Sequence, residues 1–103
     1  MEQEIIIKVD TNNSGELFLG LDGNGKSEYQ LVYREGAGVY WDNTNHGFKS
    51  TPLKKWSHSK WFSHIVSVVK EGLGVELRLS SNATWLDIPE TEKEEILNEN
   101  ITI

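Results

Sequence analysis

Three histidines, sixteen carboxylates and no cysteine are the stock of acid–base and metal-binding side chains in this 103-residue chain. Their spacing does not assemble a catalyst. His58 and His64 stand six apart, and neither a zinc-binding helix pair nor a finger uses that interval. His46, His58 and His64 are therefore read as surface residues, and no metal or cofactor is expected. Ser57-His58-Ser59 puts its groups side by side in sequence, whereas a triad needs them gathered in space, and no Gly-x-Ser-x-Gly elbow occurs. Residues 87–100 carry six acids against Lys93. Water around such a run leaves no pair with the divided pKa values that general acid and base roles demand. No catalytic residue is assigned, and the chain is read as not an enzyme.

Two further motifs bear on ligand chemistry. Gly20-Leu21-Asp22-Gly23-Asn24-Gly25-Lys26-Ser27 fits the phosphate-loop pattern G-x-x-x-x-G-K-S. That chemistry needs a helix after the loop, with its N-terminus aimed at the phosphates. Here Tyr29, Leu31 and Tyr33 alternate as in a strand, and Asp22 would repel phosphate, so a hairpin turn is expected. The segment starting at Asp22 also opens like a calcium loop. It then places Ser27 where a glycine is required and Tyr33 where a bidentate glutamate is required.

Charge along the chain is more informative. Residues 1–45 sum to −5 and residues 71–103 to −6, whereas residues 46–70 contain no acid and sum to +5, giving −6 in all. Such a split favours a binding protein over a catalyst. It defines two candidate surfaces. The acidic one comprises Asp87, Glu90, Glu92, Glu94 and Glu95, with Trp85 as an aromatic anchor, and suits a basic protein partner. The basic aromatic one comprises Lys54, Lys55, Trp56, His58, Lys60 and Trp61, which suit phosphate contact and base stacking. Each has a plainer reading. The acids form a solvated helix face, and Trp61 begins the apolar face of a helix and packs in the core.

The elements that position these residues follow from periodicity. Ile5, Ile7 and Val9, then Leu17, Leu19 and Leu21, then Tyr29, Leu31 and Tyr33, then Val39 and Trp41 alternate as half-buried strands. Gly- and Asn-rich turns join them into an antiparallel meander, with a further short strand at Phe48–Thr51 before Pro52. From Ser59 to Glu71, Trp61, Phe62, Ile65, Val66, Val68 and Val69 fall on one helical face. Ser57 or Ser59 caps its start, Gly72 ends it, and Lys60, His64, Ser67 and Glu71 form its solvent stripe. Val75, Leu77 and Leu79 give another strand, and Ser80–Ile88 a loop or short edge strand around Trp85. Pro89 opens a final helix through about Asn98. The expected architecture is α+β in one domain: a mostly antiparallel sheet of four to six strands and two helices, in two layers, in the order ββββ(β)αβα.

The absence of cysteine suits a reducing compartment. Met1–Asp10 lacks the basic and apolar regions of a signal peptide, and no apolar run is long enough to span a bilayer. A cytoplasmic protein without a membrane partner is expected.

The stretch Gly74-Val-Glu-Leu-Arg-Leu-Ser, then Thr84-Trp85-Leu-Asp-Ile-Pro89 and the Glu/Lys helix after it, resembles small acidic bacterial immunity proteins of polymorphic toxin systems. The Val39-Tyr40-Trp41-Asp42 strand and the helix with Trp61 and Ile65 share the resemblance. It implies a non-enzymatic inhibitor that sits on a cognate toxin and occludes it. Nucleic-acid or nucleotide-type ligand binding through 46–70 is the alternative. A structural subunit of a phage or larger assembly is a weaker third reading.

Overall fold

The computed structural model describes residues 2–11, 15–52 and 56–99. The architecture is α+β, a five-stranded, mostly antiparallel sheet with helices packed on one face. Its elements are β1 (Glu2–Thr11), β2 (Glu16–Leu21), a 3-10 helix (Ser27–Glu35), β3 (Val39–Asp42), β4 (Gly47–Pro52), α1 (His58–Leu73), β5 (Val75–Leu86) and α2 (Glu90–Glu99).

The sheet order is β3-β4-β2-β1-β5. It is not a simple meander, because β4 lies between β2 and β3. All pairs are antiparallel except β1–β5, which is parallel and made through the α1 crossover. Leu17, Leu19 and Leu21 all face the core as the alternation predicts. β1 departs from it. A bulge between Ile6 and Lys8 leaves Ile6 and Val9 fully buried and turns Ile7 out to 40% exposure.

Tyr29–Tyr33 is a 3-10 helix, not a strand. Tyr29 and Val32 are the buried pair, three residues apart, while Leu31 and Tyr33 are exposed. Tyr29, Trp41 and Phe48 make an aromatic cluster with ring centroids 4.9–5.5 Å apart. The Tyr29 hydroxyl donates to Glu4 at 2.6 Å. Burial, and that donation, hold the hydroxyl protonated well above the usual phenol range. A second polar group reaches the interior at the irregular β2–β4 pairing. There the buried Ser50 hydroxyl accepts the Leu17 N–H at 3.0 Å, supplying the bond that the shifted ladder omits.

On α1 the buried residues are Ser59, Trp61, Phe62, Ile65 and Val69, with Val66 and Val68 partly buried beside them. Ser57 caps it by accepting the Lys60 N–H at 3.2 Å. Gly72 does not end the helix, which runs on to Leu73. Gly74 takes the left-handed conformation at φ 69°. The segment after Leu79 is continuous strand as far as Leu86, longer than a short edge piece.

The open sheet face has its own anchor. Phe18 is 6% exposed although no helix covers it. Its ring lies over Gly20 and Gly47, where a Cβ would come within 3.0 Å of the ring, and the Lys8 ammonium sits 5.9 Å from its centroid.

Candidate functional site

The two surfaces expected from sequence meet at the N-terminus of α1. That helix has no acid in its first turn, so its exposed N–H groups and the positive end of its dipole lack local anions. They receive them from α2. Glu92 Oε1 accepts the His58 N–H at 2.9 Å and lies 3.4 Å from His58 Nδ1. Glu95 Oε2 accepts the Ser59 hydroxyl at 3.0 Å. His58 Nε2 lies 3.1 Å from Thr11 Oγ1. Two of the five candidate acids therefore clamp one helix onto the start of the other.

The remaining acids point elsewhere. Asp87, Glu90 and Glu94 are exposed, and their spacing of three and four lines them along one side of α2 and its approach. Leu97, 36% exposed, continues the stripe by three more residues. Asp87 takes a positive φ of 54°, which turns the chain into the helix. Trp85 is half-buried, with the Lys93 ammonium 5.6 Å from its ring centroid. It thus stands at the edge of the stripe with one face already engaged.

The basic aromatic constellation is divided. Lys54 and Lys55 lie outside the described residues. His58 is turned toward Glu92 and Thr11. Trp61 is 9% exposed and packs against Gly38, so it belongs to the core. Trp56 and Lys60 stay accessible. The Lys60 ammonium is 4.8 Å from the Trp56 ring centroid, and the Trp56 ring packs at a tilt against Trp61, centroids 4.8 Å apart, and edge-on to His64 at 5.0 Å. His64 does not sit on the solvent stripe. It is half-buried, with Nε2 2.9 Å from the Ala37 carbonyl. The residues that sequence reasoning missed here are His64 and Ala37. A histidine one turn beyond Lys60, preceded by Trp56 and Trp61, was the available signal.

The phosphate-loop match needs a different reason from the one the alternation gave. The loop leads from a strand into a helix, though a 3-10 one, and no hairpin turn forms. Lys26 is bound to Glu2, which raises the lysine pKa, with Glu28 and Glu4 adding to the negative surroundings. A lysine committed to a carboxylate among further acids does not offer its charge to phosphate.

The open face also carries a hollow of about 160 Å³ lined by Lys8, Asp10, Phe18, Asp42 and Asn45. Asp42 spends both oxygens on its turn, accepting from the Thr44 and Asn45 N–H groups and the Asn45 amide at 3.0 Å. Burial opposes its charge, but these donors and Lys49 outweigh burial and hold its carboxyl below the usual range. Among the described residues, no three His, Cys, Asp or Glu side chains are grouped to hold a metal ion. None of their helices is long and apolar enough to cross a membrane.

No protein-family model matches the chain, and no curated protein matches it. Among solved structures it is similar to the integron cassette protein Hfx_Cass5, from the mobile metagenome of the North West Arm sewage outfall. The identity is 26%, the match covers 95% of each chain, and the TM-score is 0.44.

Proposed function

We propose that this chain is a non-enzymatic protein-binding module, an immunity-type inhibitor that works in the cytoplasm by occluding a basic toxin domain. The observation that carries the reading is the division of the α2 acids. Glu92 and Glu95 have intramolecular duties, while Asp87, Glu90 and Glu94 form an exposed anionic stripe beside Trp85 and Leu97. Charge steers a basic partner to the stripe, and the apolar pair supplies desolvated contact once it arrives. Co-expression with the product of the adjacent gene tests it. The expected result is a complex whose association rate falls with added salt and falls further in Glu90→Lys/Glu94→Lys. A neighbour that is harmless to cells and does not co-purify would remove the reading.

A second reading is favoured by the Trp56–Lys60 contact, an accessible indole with a cation over it. It is a platform for a nucleobase or nucleotide-type ligand. Quenching of Trp56 fluorescence by single-stranded RNA at low salt, lost in Trp56→Ala, is the expected result. An unchanged spectrum disposes of it.

A further inference from the structure

The two edges of the sheet are finished differently. β3 is four residues long, has the 3-10 helix packed against it and ends in the Asp42 turn. β5 is twelve residues long. Its first part runs in unbroken register with β1, from Glu2↔Val75 to Ile6↔Leu79, and among the described residues nothing hydrogen-bonds to its outer side. Beyond Leu79 the register shifts: β1 advances from Ile6 to Lys8 while β5 advances from Leu79 to Thr84. The regular, unpaired stretch is therefore Val75–Leu79.

Proteins guard such an edge with charged side chains, which repel a second copy where like charges meet. Here the charges are Glu76 and Arg78, opposite in sign and two residues apart on the open face. In an antiparallel pairing of two copies centred on Leu77, Glu76 of each faces Arg78 of the other. On the helix-covered face, Val75 meets Leu79 and Leu77 meets Leu77. Both faces match at once. Centring on Glu76 or on Arg78 instead sets like charges opposite each other. A one-residue slip would put core residues on the open face. The strand therefore carries its own complement and selects one register.

We propose that β5 is a self-association edge, joining two copies about a two-fold axis through Leu77 into one continuous ten-stranded sheet with all helices on the same side. The Gln3 amide, on the inner neighbour β1, donates to Glu76 Oε2 at 3.0 Å. The paired stretch ends at Leu79, short of Trp85 on the same strand, and does not include Asp87, Glu90 or Glu94.

Sedimentation equilibrium from micromolar to millimolar protein tests the edge. The expected mass rises to twice the 11.7 kDa of one chain. Glu76→Arg and Arg78→Glu each create two like-charge cross-strand pairs, and each weakens pairing by roughly tenfold or more. The double variant Glu76→Arg/Arg78→Glu restores opposite charges and regains the dimer. A wild-type mass of one chain throughout, or a dimer that Arg78→Glu leaves intact, overturns the proposal. Where a variant melts early, amide exchange of wild-type Val75–Leu79 decides. Protection that rises with concentration supports the edge, and protection independent of concentration overturns it.

Discussion

The two α-helices divide the labour of the molecule. α1 sits in the middle of the core, with Phe62, Ile65 and Val69 at or below 1% exposure, and has no acid at its N-terminal end. Among its described side chains α2 has one that is fully buried, Ile96, and apart from the exposed Leu97 the rest are polar. α1 is a structural beam that lacks its own cap charges. α2 is a light attachment that lends two of them. What the difference teaches is that the acidic helix cannot be read as a single surface. Its acids belong to two populations, one that holds α1 and one that faces water, and substitution should separate them.

The sharpest break concerns α1. Phe62→Ala removes a ring from the centre of the core and should cost about 3–5 kcal/mol, a large share of the stability of a domain this size. Denaturant midpoints by circular dichroism measure it. Ile96→Ala should cost less, about 2 kcal/mol, because α2 can detach without opening the sheet. Amide exchange should show α2 released while β1, β2 and β5 stay protected. If the whole sheet loosened equally, α2 would be as integral as α1 and the contrast would fail.

The positions of these helices were legible in the sequence, and so was the α+β class. Trp61, Phe62, Ile65 and Val69 recur at helical spacing, and burial rewards that spacing wherever the sheet is. Three things were hidden. At Tyr29–Tyr33 the alternation of Tyr29, Leu31 and Tyr33 competes with the triplet spacing of Tyr29 and Val32. Packing of that pair against Trp41 and the rest of the core chose the second. In β1, Ile5, Ile6 and Ile7 are chemically equivalent, so nothing local reveals which of them the bulge turns outward. The roles of Glu92 and Glu95 were hidden because they depend on His58 and Ser59, 34 and 36 residues away. A run of glutamates looks uniform until a distant helix end selects two of them. Of the five candidate acids, Asp87, Glu90 and Glu94 face water, and among the described members of the basic constellation Trp56 and Lys60 stay accessible.

The acids themselves sharpen the comparison at smaller amplitude. Glu92→Ala leaves the His58 N–H without its acceptor and the α1 dipole with Glu95 alone, and should cost about 1–2 kcal/mol, comparable to losing the Ser57 cap. The double variant Glu90→Gln/Glu94→Gln should change stability by no more than about 0.5 kcal/mol, because neither side chain has a structural partner to lose. These last two experiments are informative only together. Each removes carboxylate charge from the same ten-residue helix, so net-charge effects on folding run in the same direction. A difference of about 1 kcal/mol between them then measures placement and not charge. Equal and small effects would mean that α1 does not depend on α2 for its cap. Equal and large effects would mean that the exposed stripe is structural, and it would then be the wrong place to look for a partner.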